Sequence, residues 1–192
     1  MKPRVAIVIG KRGRGSNMAA LVRAMQNGQV AAEPVMVVSP SKVAPGLQTA
    51  TDLEVPTQVF ETLDQLDETF ESIDFICLAG FMSLFPAEIL AKFPNRVLNI
   101  HPALLPKFGG KGMYGMHVHQ AVIESGETES GCTVHYVSDQ YDEGAIILQL
   151  RCPVLQGDTA EELAARVLSL EHQAYPAALN VAIKNLENQR DL

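Results

Sequence analysis

Asn99 and His101 stand two residues apart in Val97-Leu98-Asn99-Ile100-His101-Pro102. On a β-strand that spacing turns both side chains to one face. Pro102 stops the strand, so the pair sits at its carboxyl end, where open α/β sheets bind ligands. An Asn amide donates a hydrogen bond to a carbonyl, or to the oxyanion that grows from it. A His moves a proton near neutral pH. Together they point to chemistry at a polarised carbonyl. Asp142 lies in the polar connection 138–144, just before Gly144. Taken alone it reads as a turn residue. A carboxylate beside His101 would orient the ring and stabilise its charged form, but spacing alone does not bring the two together.

Other polar residues are open to two readings. Gly10-Lys11-Arg12-Gly13-Arg14-Gly15-Ser16-Asn17 follows an apolar strand and opens a helix. Glycines let backbone approach a ligand, and free N–H groups at a helix start attract anions, so phosphate binding is the functional reading. A plain turn capped by Ser16 is the structural one. The run has neither a Walker pattern nor a clean G-x-G-x-x-G. Thr133, His135 and Val137 share one strand face, and His135 either lines a pocket or is a hydrogen-bonded core residue. His117 and His119 have no Glu or Cys at metal-ligand spacing, so no metal site is expected.

The elements that must position these residues are legible from periodicity. Apolar runs at 4–9, 34–38, 75–79 and 97–101 read as strands. Segments 17–26, 46–53, 63–71 and 86–93 between them read as helices. Strands apolar on both faces and separated by helices imply a Rossmann-like, mostly parallel sheet covered on both sides. Further on, 117–124 reads as a helix. Runs 131–137 and 145–153 read as antiparallel strands added in the C-terminal half. Thr159 and Glu162 have capping-box spacing, and Leu163, Val167, Leu170 and Ala174 then form one stripe of a long helix. Pro176 is expected to kink or end it, with helix resuming over 177–186 and a frayed tail over 187–192.

The chain has 192 residues, which suits one domain spanning 1–192. It holds 15 basic and 22 acidic residues, a net charge of -7, which makes a poor general binder of nucleic acid or anionic membrane. Cys77, Cys132 and Cys152 form no C-x-x-C pair and sit in apolar runs, as buried reduced thiols do. The first apolar run is too short for a signal sequence or a membrane span, and the expected location is the cytoplasm.

The runs Leu78-Ala79-Gly80-Phe81-Met82 and Asn99-Ile100-His101-Pro102-Ala103-Leu104-Leu105-Pro106-Lys107 resemble the folate-dependent formyltransferases. Within them the chain resembles the branch that formylates glycinamide ribonucleotide in purine synthesis. Gly15-Ser16-Asn17, Asp142 with Gly144, Ile147-Leu148-Gln149 and Glu171-His172 support the resemblance, which covers nearly the whole chain in order. It implies formyl transfer from 10-formyltetrahydrofolate to an amine, with neither metal nor ATP. It also implies roles by position. Asn99 and His101 would hold the formyl oxygen, with Asp142 as the charge partner of His101. Gly15, Ser16 and Asn17 would bind the ribonucleotide phosphate. Glu171, Met82 and Pro102 would contact the acceptor. Leu78, Met82, Ser83, Leu84, Val137, Asp139 and Asp142 would flank the reduced folate. The expected assembly is a monomer or homodimer.

The chain departs from the usual family pattern in four places, one of them Leu170, which cannot supply a charged phosphate contact. The turn carrying Arg12 and Arg14 is longer than usual. Ser83 stands where many members carry Arg. The loop 108–115, with four glycines and Lys111, reads as a flap over the substrate, with Lys111 in reach of its phosphate. An amino-sugar nucleotide acceptor and hydrolysis of formyltetrahydrofolate are the alternative reactions. Hydrolases of this type usually carry His-His-Ser after the Asn-Ile, where this chain has His101-Pro102-Ala103.

Overall fold

The structure is a computed structural model that describes residues 1–63 and 65–190. Among the described residues seven strands form one sheet: β1 (Arg4–Ile9), β2 (Glu33–Ser39), β3 (Thr57–Val59), β4 (Phe75–Ala79), β5 (Val97–His101), β6 (Glu129–Tyr136) and β7 (Ile146–Pro153). Their order is β3-β2-β1-β4-β5-β6-β7. The pairings from β3 to β5 are parallel, β6 adds antiparallel to β5, and β7 adds antiparallel to β6. The helices are α1 (Ser16–Gln26), α2 (Pro45–Asp52), α3 (Gln65–Thr69), α4 (Ala87–Lys92), α5 (Met116–Glu124) and α6 (Ala160–Arg190). The expected mostly parallel sheet with helices on both faces is therefore the observed fold.

Strand alternation divides the core in two. Val5, Ile7 and Ile9 of β1 join Leu98 and Ile100 of β5 and the buried faces of α1 and α6. Ala6 and Val8 turn to the opposite layer, with Leu78, Val97, Phe70, Phe85 and Ile89. Asn99 and His101 share the face of Val97, so Leu98 and Ile100 anchor β5 while the polar pair faces away from α6.

The capping box at the head of α6 is formed in both directions. Glu162 Oε2 accepts from the Thr159 amide at 2.8 Å, and Thr159 Oγ1 accepts from the Glu162 amide at 3.2 Å. The helix then runs through Pro176 to Arg190. Pro176 removes one backbone N–H, which costs about 3 kcal/mol in an isolated helix. Tyr175, Ala178 and Leu179 around it are fully buried, and each large apolar side chain contributes roughly 1.5–3 kcal/mol. Packing therefore outweighs the break that Pro176 predicts. The predicted tail is helical as far as Arg190, and 191–192 lie outside the described residues.

Three local expectations change. The segment 63–71 carries only the short α3, and residue 64 within it lies outside the described residues. β3 is a strand that periodicity does not reveal, because all three of its residues are exposed. Ser16 does not cap α1. Gly15 occupies the N-cap at φ 78° with no side-chain cap, and Ser16 is already the first helical residue. A side chain at Gly15 would collide with Met18 and with Gly46, whose amide donates to Gly13 at 3.1 Å.

Candidate active site

The β5–β6 register assembles the polar centre. Asn99 pairs with His135 and His101 pairs with Thr133, so four polar side chains share the face opposite α6. His135 Nδ1 lies 2.8 Å from the carbonyl of its neighbour Tyr136, which accepts only from an N–H. His135 Nε2 lies 3.2 Å from Asn99 Nδ2 and also faces Asp142. With its amide nitrogen turned to His135, Asn99 has a second N–H left to donate.

His101 is only 4% exposed. Its Nε2 lies 2.7 Å from the Phe108 carbonyl, and its Nδ1 lies 3.5 Å from Asp142 Oδ2. The carbonyl requires a donor at Nε2, and the carboxylate favours one at Nδ1. An imidazolium would satisfy both partners at once, and burial opposes that charge.

Asp142 reaches this point through backbone geometry that sequence spacing does not show. It adopts φ 57°, and a Cβ at the nearby Gly144 would stand 1.6 Å from the Tyr136 carbonyl oxygen. Glycine is thus required for the connection to fold back so closely on β6. Asp142 Oδ2 accepts from the Gly110 amide at 2.9 Å, and Oδ1 lies 3.6 Å from His135 Nε2. Asp142 is therefore a shared partner of two histidines and of the 108–115 loop.

A cavity of about 690 Å³ opens beside this centre. Asn99, His101, His135 and Asp142 line its middle. Leu78, Met82, Ser83, Leu84 and Val137 form a mostly apolar part of its lining, and Asn17, Glu171 and Leu168 another part. Pro102, Lys111 and His119 also border it. Gly15, Ser16 and Asp139 do not contribute to the lining. Met82 and Leu84 are exposed, so the first part presents an apolar wall to solvent. In the other part Asn17 Nδ2 donates to Glu171 Oε2 at 2.8 Å, and Asn17 Oδ1 is buried without a partner.

Residues 3–179 match the formyl transferase family model. The chain belongs to the formyl transferase family. Its relatives include a chloroplastic phosphoribosylglycinamide formyltransferase of Arabidopsis thaliana, 42% identical over 85% of this chain. A trifunctional purine biosynthetic protein adenosine-3 of Drosophila pseudoobscura pseudoobscura is 40% identical over 93% of it. This formyl transferase chain spans 60% of the plant protein's length and 14% of the insect protein's. It is also similar to the crystal structure of a phosphoribosylglycinamide formyltransferase from Brucella melitensis. That match has TM-score 0.84 and 43% identity, and covers 94% of this chain and 95% of that one.

The electrostatics of this formyl transferase site follow from its burial. Burial holds the His101 imidazole below the ordinary histidine range, opposed by the Asp142 carboxylate and the Phe108 carbonyl. Burial pushes the Asp142 carboxyl up, but His135, His101 and the Gly110 amide together outweigh it and hold Asp142 low. Glu171 is raised by burial, against the Asn17 hydrogen bond. His119 is lowered by burial and by His101, and its Nδ1 is buried without a partner. Among the described residues no His, Cys, Asp and Glu cluster could hold a metal, and no helix is long and apolar enough to cross a membrane. Cys77, Cys132 and Cys152 are buried free thiols.

Periodicity left three contributors unread. The Phe108 carbonyl and Gly110 amide are backbone groups with no side-chain signature. Tyr175 is the third, since a tyrosine in an apolar helix stripe reads as packing. Its hydroxyl lies 2.8 Å from the Leu78 carbonyl and 3.0 Å from the Leu98 carbonyl, bracing β4 and β5 beneath the cavity.

Proposed function

We propose that the chain transfers the formyl group of 10-formyltetrahydrofolate to the amine of glycinamide ribonucleotide, in de novo purine synthesis. The observation that carries this reading is the convergence of Asn99, His101 and Asp142 at the middle of the cavity. The similarity to phosphoribosylglycinamide formyltransferases suggests the acceptor.

The acceptor amine, freed of its extra proton, attacks the formyl carbon. The carbonyl electrons move to the formyl oxygen and a tetrahedral intermediate forms. The free N–H of Asn99 donates to that oxygen, and His101, taking up the proton that the attacking amine releases, stabilises it from beside Asp142 and passes the proton on. Donors aimed at a developing oxyanion in a water-poor site typically contribute about 3–4 kcal/mol each. Collapse breaks the bond from carbon to the folate nitrogen, which takes up a proton as the amine nitrogen loses one.

The acceptor takes the part lined by Asn17 and Glu171. Asn17, with Gly15 and Ser16 behind it at the head of α1, faces the phosphate. Glu171, Met82 and Pro102 border the rest of the acceptor. The folate takes the apolar part, against Leu78, Met82, Ser83, Leu84 and Val137, with Asp139 and Asp142 on the following connection. Turnover of purified protein with 10-formyltetrahydrofolate and glycinamide ribonucleotide, followed by release of tetrahydrofolate, tests the reading. Formyl transfer to an amino-sugar nucleotide alone, or to water alone, would overturn it.

A further inference from the structure

We infer that Gln149, on the edge strand β7 and outside the lining of the cavity, is a positioning residue for the His101–Asp142 pair. The inference rests on the reading of that pair given above.

The chain leaves His101 through the segment 102–106 before it reaches Phe108 and Gly110, which hold His101 and Asp142. Two side chains outside the segment fix its course. Thr133, fully buried on β6, lies opposite His101. Its hydroxyl donates to the Ala103 carbonyl at 2.6 Å and accepts from the Leu105 amide at 3.1 Å. Gln149 Nε2 donates to Thr133 Oγ1 at 2.9 Å and to the Leu105 carbonyl at 3.0 Å.

The inventory closes. A hydroxyl has one proton and two lone pairs, and Thr133 uses all three. The Gln149 amide has two protons, and both are used. Leu105 has its N–H and its C=O held by this pair of side chains. The network has no free donor for a ligand and no lining position, so its effect on chemistry passes through the segment. What it sets is where the Phe108 carbonyl and the Gly110 amide stand. A misplacement of about 1 Å at such groups costs on the order of a hundredfold in rate.

Gln149→Leu keeps the volume and removes both donors, while the β6–β7 backbone ladder does not use the side chain. Gln149→Asn keeps the amide but draws it back by one methylene, and serves if the leucine variant does not fold. In the free protein, the His101 Nε2–H resonance should be visible by 1H–15N NMR and the Gly110 amide slow to exchange. In either variant the imidazole resonance should broaden away and Gly110 exchange should quicken at least about tenfold. In turnover, kcat should fall roughly ten- to hundredfold with KM for both substrates within about threefold. A folded variant with lower Tm but unchanged His101 and Gly110 signals would overturn the inference, as would an unchanged kcat. The NMR comparison needs no substrate, so a failure of the proposed reaction leaves this test intact.

Discussion

His101 meets the carbonyl of Phe108 at 2.7 Å through Nε2 and faces Asp142 at 3.5 Å through Nδ1. Neutralising the carboxylate removes the partner of one ring nitrogen while leaving an acceptor for the Gly110 amide. Asp142→Asn is therefore expected to keep the fold and lower kcat by about 10²- to 10⁴-fold. Circular dichroism and steady-state kinetics on the same preparation check this. Activity near that of the parent would remove Asp142 from the mechanism.

Asn99 is held by His135, which is itself held by the Tyr136 carbonyl. Asn99→Ala removes the donor outright and should cost about 3–4 kcal/mol of barrier. His135→Phe leaves the Asn99 amide free to rotate, and should reduce kcat by a smaller factor, roughly tenfold. If the two substitutions act through one hydrogen bond, the double variant will be no slower than Asn99→Ala. A double-mutant cycle on kcat decides it, and additive losses would show independent roles.

Tyr175→Phe tests the brace under β4 and β5. The substitution leaves the Leu78 and Leu98 carbonyls without the hydroxyl, at a cost of about 1–3 kcal/mol. For a chain of this size that corresponds to a fall in Tm of roughly 2–4 °C per kcal/mol. Thermal unfolding reads this directly, and an unchanged Tm would mean that the hydroxyl contributes nothing net.

Stability should decline on mild acidification. His101, His119 and His172 all have folded pKa values held below the ordinary histidine value of 6.5, each chiefly by burial. Between 6.5 and those lower values the unfolded chain binds more protons than the folded one. The stability they contribute is thus full above pH 6.5 and is lost as pH falls through their folded values. Glu171, raised above 4.5 by burial, acts in the opposite sense on the low-pH side. Denaturant midpoints measured from pH 7.5 down to 5 should fall, and the slope should be shallower for His119→Gln. A flat profile in the parent protein would contradict the burial argument.

The sequence discloses this fold where burial is two-sided and hides it where the backbone decides. β1 and β4 read as central strands because nearly every residue is apolar, and both faces are covered. The Thr159–Glu162 box and the stripe that follows it disclose the start of α6. β3 escapes notice because it is an edge of three exposed residues. Pro176 does not end α6, because packing on both sides of it sustains the helix. In the site, the shared face of Asn99 and His101 follows from spacing alone. Asp142 does not, because its approach depends on a positive φ and on the absence of a side chain at Gly144. The same holds for the Phe108 carbonyl, which no choice of side chain announces.

The alternation along β5 places Leu98 and Ile100 in the core under α6 and Asn99 and His101 on the cavity side. An insertion or deletion of one residue inside this strand would exchange the two sets at a stroke. It would press an amide and an imidazole into hydrocarbon and leave two aliphatic chains in the cavity beside Asp142. Substitutions in β5 fail one at a time, whereas indels there fail all at once. Changes in chain length are therefore expected to be tolerated only in the connections, such as the glycine-rich turn after β1 and the loop that carries Lys111.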